Sequence, residues 1–164
     1  METRESGPMV LAAAWGHHLR HDGGGYPREV NRVIVSRSTA LLHLCDVFEA
    51  LTAIRPYKRP LSPLLAWQII LKDRKSFDPA ALQAFVTAIG FYPPGSRVRL
   101  SSGEEGLVVA AGSDPARPRL RLTRRKDGEA VTSEEEVVDL GTAAAAGLSV
   151  AEAIQDDQLE PATT

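Results

Sequence analysis

The chain has 164 residues, 43% apolar and 24% charged, with a formal net charge of −2. That is the size of one ordinary globular domain, or one plus a small module, and the charge balance gives no sign of general affinity for nucleic-acid polymers or membrane surfaces. No apolar run approaches the roughly 20 residues of a membrane span, and the single cysteine, Cys45, excludes an internal disulfide and fits a reducing, cytoplasmic setting.

Residues 8–91 read as helical. The first helix is expected from Pro8 to about His18, rich in alanine and leucine and stopped by a glycine run. The second is expected from about Val35 to Ile54, with Leu41, Leu44, Cys45, Phe48 and Leu51 at the three-four spacing of a buried face. Pro56 ends it at Arg55. Ser62-Pro63 and Asp78-Pro79 each pair a capping side chain with proline in the first turn, which predicts two further helices. Gly90 is the expected C-terminal cap of the last.

The pattern then changes. RVRL (97–100), GLVVAAG (106–112), RLRLT (119–123) and EVVDL (136–140) are short, branched and separated by turn residues. They predict a small β module over 93–141. Arg119 and Arg121 alternate with Leu120 and Leu122, the pattern of a half-exposed strand rather than of a nucleic-acid surface. The segment 142–164 is low in complexity and is expected to be disordered or to hold one short helix.

Three features bear chemistry. Within AWGHHLRHDGGGYP, His17 and His18 are adjacent, and neighbours on a helix point about 100° apart. They suit two metals roughly 3.5–4 Å apart, each taking one imidazole, although a lone pair is equally an ordinary helix end. His21 reads as a solvated loop residue and Asp22 as a residue that orders the turn. Asp46 sits in the largely apolar LLHLCDVFEAL, and a buried carboxylate needs a partner or a metal; an exposed aspartate beside Glu49 is an equal reading. IRPYKRP (54–60) places Arg55, Lys58 and Arg59 with Tyr57 just past that helix, and such cations can hold phosphate.

Together HHLRHDGGGYP, CDVFEALTAIRPYK and FDPAALQAFVTAIGFYPPGSRVRLSSGEEGLVV resemble the HD-GYP family, metal-dependent phosphodiesterases that hydrolyse cyclic di-GMP. The motifs are long, occur in the family's order and span about residues 8–127. The resemblance implies a mainly α fold, part of an HD-type helical bundle over 1–92, followed by the β module. It implies His17, His18 and Asp46 as metal ligands and Tyr26, Arg55 and Lys58 as residues lining the nucleotide and its phosphates. It assigns no catalytic acid or base here. The implied cofactor is a divalent metal pair, iron or manganese.

The chain departs from the family pattern at Leu19, where the family has glutamate, and at Glu49, where it has aspartate. His43 matches no family ligand and reads as an ordinary helix residue. The family's N-terminal half, with its His-Asp pair, is not in this sequence. The metal site is therefore expected to be incomplete, and part of the helical surface to be apolar and exposed. Four readings follow: a split enzyme completed by an HD-half polypeptide; an inactive module that binds cyclic di-GMP, docks a diguanylate cyclase domain or self-associates; a misassigned start at Met1; or a structural helical adaptor.

Overall fold

The computed structural model describes residues 7–28, 35–55, 59–132 and 136–154. Among the described residues, four α-helices come first: α1 (Pro8–Gly16), α2 (Arg37–Thr52), α3 (Pro63–Lys72) and α4 (Pro79–Ile89), with a 3₁₀ turn at Arg74–Ser76 before the last. Five strands follow: β1 (Arg97–Leu100), β2 (Glu105–Ala110), β3 (Arg119–Arg124), β4 (Val137–Asp139) and β5 (Val150–Ile154). The order is therefore helices and then a small β module, as the sequence predicts. Among the described residues no helix is long and apolar enough to cross a membrane.

Local chemistry sets the helix starts. The Ser36 hydroxyl accepts from the Thr39 amide, Ser62 from Leu65, and Asp78 from Ala81. Each bond satisfies a donor that the first helical turn leaves free, worth about 1 kcal/mol. Pro63 and Pro79 occupy the first turn, where a missing N–H costs nothing. α4 stops at Gly90, whose φ of 69° lies where side-chain-bearing residues are strained.

Helices α2, α3 and α4 share one core of Leu44, Trp67, Ile70 and Phe77, flanked by Phe48, Leu51, Phe85 and Phe91. Trp67 is its centre. Its ring lies 5.1 Å from Phe48 and 5.6 Å from Phe85, and its indole N–H donates to the Gly90 carbonyl at 3.1 Å. Leu41 does not join this core and is 38% exposed. The most buried residues of α2 are Thr39, His43 and Leu44: Thr39 lies against Gly16 of α1, and Leu44 joins Trp67 in the core, with Phe48 and Leu51 of the predicted face packed beside it. Leu44→Ala is expected to cost about 2–5 kcal/mol, read as a lower midpoint in urea unfolding.

The sheet is antiparallel throughout, in the order β4-β3-β2-β1-β5. Val98, Leu100, Val108, Leu120, Leu122 and Leu140 fill a second core on one face. Arg99 and Arg119 sit on the other, opposite acids across the strands: Arg99 with Glu105 and Glu152, Arg119 with Asp139. Their charge is thus matched within the sheet.

One expectation is corrected. Residues following 141 are not a disordered or short-helical tail as far as 154. Ala143–Ala145 form a 3₁₀ turn with Ala145 buried, and β5 adds the edge strand beside β1. Arg117 clamps this return, donating to the carbonyls of Leu140 and Ala145 at 2.6 and 3.0 Å. The β module therefore runs at least to 154; residues 155–164 lie outside the described residues.

The two parts meet through backbone: the Phe91 amide donates to the Pro115 carbonyl at 2.9 Å. Among the described residues, α1 leaves Val10, Leu11 and Trp15 at 58–60% exposure, an apolar helical surface.

Candidate metal centre

The site begins where α1 crosses α2. Gly16 is buried at the end of α1, and a Cβ there would stand 3.1 Å from the Thr39 methyl. The missing side chain lets the two backbones approach. The chain leaves the helix at His17 and turns through 18–26. Leu19 bridges Gly25, the Arg20 amide donates to Gly24 O at 3.3 Å, and the Tyr26 amide to His18 O at 3.4 Å. Gly25, at φ 83°, passes so close to the His18 carbonyl that no Cβ fits between them.

Asp22 orders this turn. Its carboxylate accepts from the Arg20 guanidinium at 3.1 and 2.8 Å and from the Gly24 amide at 3.0 Å. The Arg20 hydrogen bonds, followed by that of Gly24, pull the Asp22 carboxyl down to about 2. Arg20 also reaches Asp73, at 3.2 Å. The turn is thereby tied to the segment after α3, and the His21 amide adds a bond to Ser76 O at 2.8 Å.

His17, His18 and Asp46 each bring a donor atom into one cluster, all within 4.8 Å of one another, every side chain half-buried. His18 Nδ1 is 4.0 Å from Asp46 Oδ2. The imidazole centroids are 4.0 Å apart. His17 Nδ1 faces the Ala14 carbonyl. A carbonyl only accepts, so this nitrogen carries the proton and Nε2 keeps its lone pair for a ligand. Two nitrogens at about 2.1 Å from one tetrahedral ion stand ~3.4 Å apart, so small rotations bring these donors onto one ion or onto a bridged pair. The donor set fits a divalent metal.

The other sequence-predicted residues fall into three cases. Tyr26 lies tilted against His18, ring centroids 4.4 Å apart, and is 58% exposed, presenting its ring beside the cluster. Arg55 follows α2, and its guanidinium donates to Glu49 Oε2 at 2.8 Å, one helical turn beyond Asp46. Lys58, with Pro56 and Tyr57, lies outside the described residues. His21 is an exposed loop residue, its ring 3.8 Å from Asp78 Oδ2.

Sequence reasoning passed over His43. It is 8% exposed, stacks on Phe77 at 5.2 Å and places Nδ1 2.7 Å from the His17 carbonyl. Burial pushes its pKa below the usual imidazole range. The only signal was its place three residues before Asp46 in an apolar helix.

Residues 7–81 match the HD domain family. A cyclic di-GMP phosphodiesterase of Pseudomonas aeruginosa is 34% identical over 144 residues, 87% of this chain and 34% of that protein. A probable cyclic di-GMP phosphodiesterase of Vibrio cholerae is 43% identical over 74 residues, covering 44% of this chain and 17% of its own. A 3′3′-cGAMP-specific phosphodiesterase of the same organism is 36% identical over 84 residues, 49% of this chain and 18% of its own. The chain thus spans about a third or less of the length of these relatives. No solved structure matches it significantly. The ordered motifs, the matched HD domain and these relatives together support an HD-GYP-type domain in this chain.

Proposed function

We propose that this chain supplies one side of a metal-dependent phosphodiesterase site for cyclic dinucleotides, cyclic di-GMP first among them. The convergence of three donor groups within 4.8 Å is the observation behind this reading. His17, His18 and Asp46 hold divalent metal, and mixed imidazole and carboxylate donors suit iron or manganese. When bound, such metals polarise phosphoryl oxygens and activate water. The chain's own residues do the rest. Tyr26 offers a flat, exposed ring beside His18, suited to a nucleobase. Arg55 and Lys58 meet the phosphates, the first as a planar fork and the second as a point charge.

A catalytic ion takes about three protein ligands and a bridged pair takes more. The described residues gather three, so the working site draws further donors from polypeptide beyond them. The Pseudomonas relative, of which this chain covers 34%, has room to hold them. The test mixes the purified chain with the unmatched remainder of that relative, adds Mn²⁺ and cyclic di-GMP, and follows hydrolysis. The expected result is weak Mn²⁺ binding by the chain alone and hydrolysis only in the mixture. Failure of the chain to bind Mn²⁺, together with an inactive mixture, overturns the reading. A second reading, a nucleotide-binding or docking module without hydrolysis, is favoured by the exposed Val10, Leu11 and Trp15 of α1; it predicts cyclic di-GMP binding with no turnover.

A further inference from the structure

We propose that His43 is a positioning residue for the metal centre, a role that rests on the metal reading of His17, His18 and Asp46. Among the described residues, no hydrogen bond joins it to a donor atom of the cluster. Its bond goes to the carbonyl of His17, and that carbonyl belongs to the peptide unit joining His17 to His18. Holding this one plane sets the direction from which both imidazoles leave the backbone. The carbonyl also sits at the end of α1, where helical carbonyls lack an intrahelical donor.

The bond has a defined polarity. The carbonyl oxygen only accepts, so Nδ1 of His43 carries the hydrogen whatever the charge on the ring. The ring cannot easily swing away, because it is 8% exposed and stacked on Phe77 of the helical core at 5.2 Å. His43 lies on the same helix as Asp46, three residues earlier, a rise of about 4.5 Å. A single side chain therefore links the peptide between two ligands to the helix that bears the third. The flanking carbonyls are held by other means: Gly16 O accepts from the Leu19 amide at 2.9 Å, and His18 O from Tyr26 at 3.4 Å. Remove His43 and the central plane of the three loses its anchor.

A purely structural role makes a different prediction, so the variants separate donor from bulk. His43→Leu keeps apolar volume and loses the donor. His43→Asn places an amide N–H near the position of Nδ1 and restores it. The full chain is titrated with Co²⁺, whose visible spectrum reports coordination, and His18→Ala serves as the reference for a lost ligand. In parallel, the metal-free chain is observed by NMR at the His18 amide, which shares the peptide unit with the His17 carbonyl. Expected are a weakening of Co²⁺ binding by about 10-fold or more in His43→Leu, an altered spectrum, and a displaced His18 amide resonance. His43→Asn recovers all three, even where its thermal midpoint is as low as that of His43→Leu. Equal Co²⁺ affinity in wild type and His43→Leu, with His18→Ala defective, overturns the positioning role and leaves the metal reading standing. Equal affinity in wild type and His18→Ala overturns both. Co²⁺ binding that follows thermal midpoint alone, with no recovery in His43→Asn, reduces His43 to a core residue.

Discussion

Gly25→Ala is expected to cost more than any other single-methyl change in the turn. Gly25 has a φ of 83°, where an alanine is strained by about 1–2 kcal/mol before it touches anything. It would then touch the His18 carbonyl oxygen, deep inside van der Waals contact. That atom is main chain and cannot rotate aside, so the backbone of 18–26 must open. The residue displaced is itself one of the three donors. The expected outcome is a lower melting temperature together with loss of Mn²⁺ or Co²⁺ binding. Gly23→Ala is the control. It has a similar φ of 81° but open space where the Cβ would go, so it should show the strain and keep the metal. Thermal denaturation and metal titration of the two variants check this directly; equal behaviour would mean that the close approach at Gly25 has no consequence.

Asp46→Ala is expected to separate metal binding from folding. Asp46 is on the interior of α2, with its side chain 43% exposed and His18 Nδ1 4.0 Å away. Alanine is the better helix former by several tenths of a kcal/mol, so the metal-free variant should unfold no more easily than the wild type. With Mn²⁺ present the two should part. A metal that binds only the folded chain stabilises it by about 2.7 kcal/mol at a concentration 100 times Kd. Asp46→Ala should forfeit that gain, its affinity falling by more than the roughly 10–100-fold seen when only a supporting residue is lost. Chelation should lower the wild-type midpoint and leave the variant where it was. Undiminished stabilisation of Asp46→Ala by Mn²⁺ would remove Asp46 from the centre.

How far the sequence could be read follows the range of the interactions. The starts of α3 and α4 were legible at Ser62-Pro63 and Asp78-Pro79, because caps and prolines act within a single turn. β1 and β3 were legible because their alternation records one wet and one dry face. β5 was not. Its Ala-rich stretch gains its shape from β1, about fifty residues earlier, and such pairing outweighs local preference. Leu41 was placed in the core because spacing shows which residues share a face, not which neighbour covers it. Within the site, the identities of His17, His18 and Asp46 came from motifs. Their meeting depends on a crossing of α1 and α2 that Gly16 permits and no local pattern announces. His43 matched no motif, so nothing local distinguished it from any other helix residue.

The two tryptophans stand at opposite extremes of exposure. Trp15 lies open on α1 at 58% exposure, while Trp67 is sealed at 2% with its N–H on Gly90, where the helical part hands over to the sheet. The protein thus carries one wetted and one dry fluorophore in its helical part. Quenching of the first reports whatever comes to rest on α1, and a red shift of the second marks the moment the helical core opens.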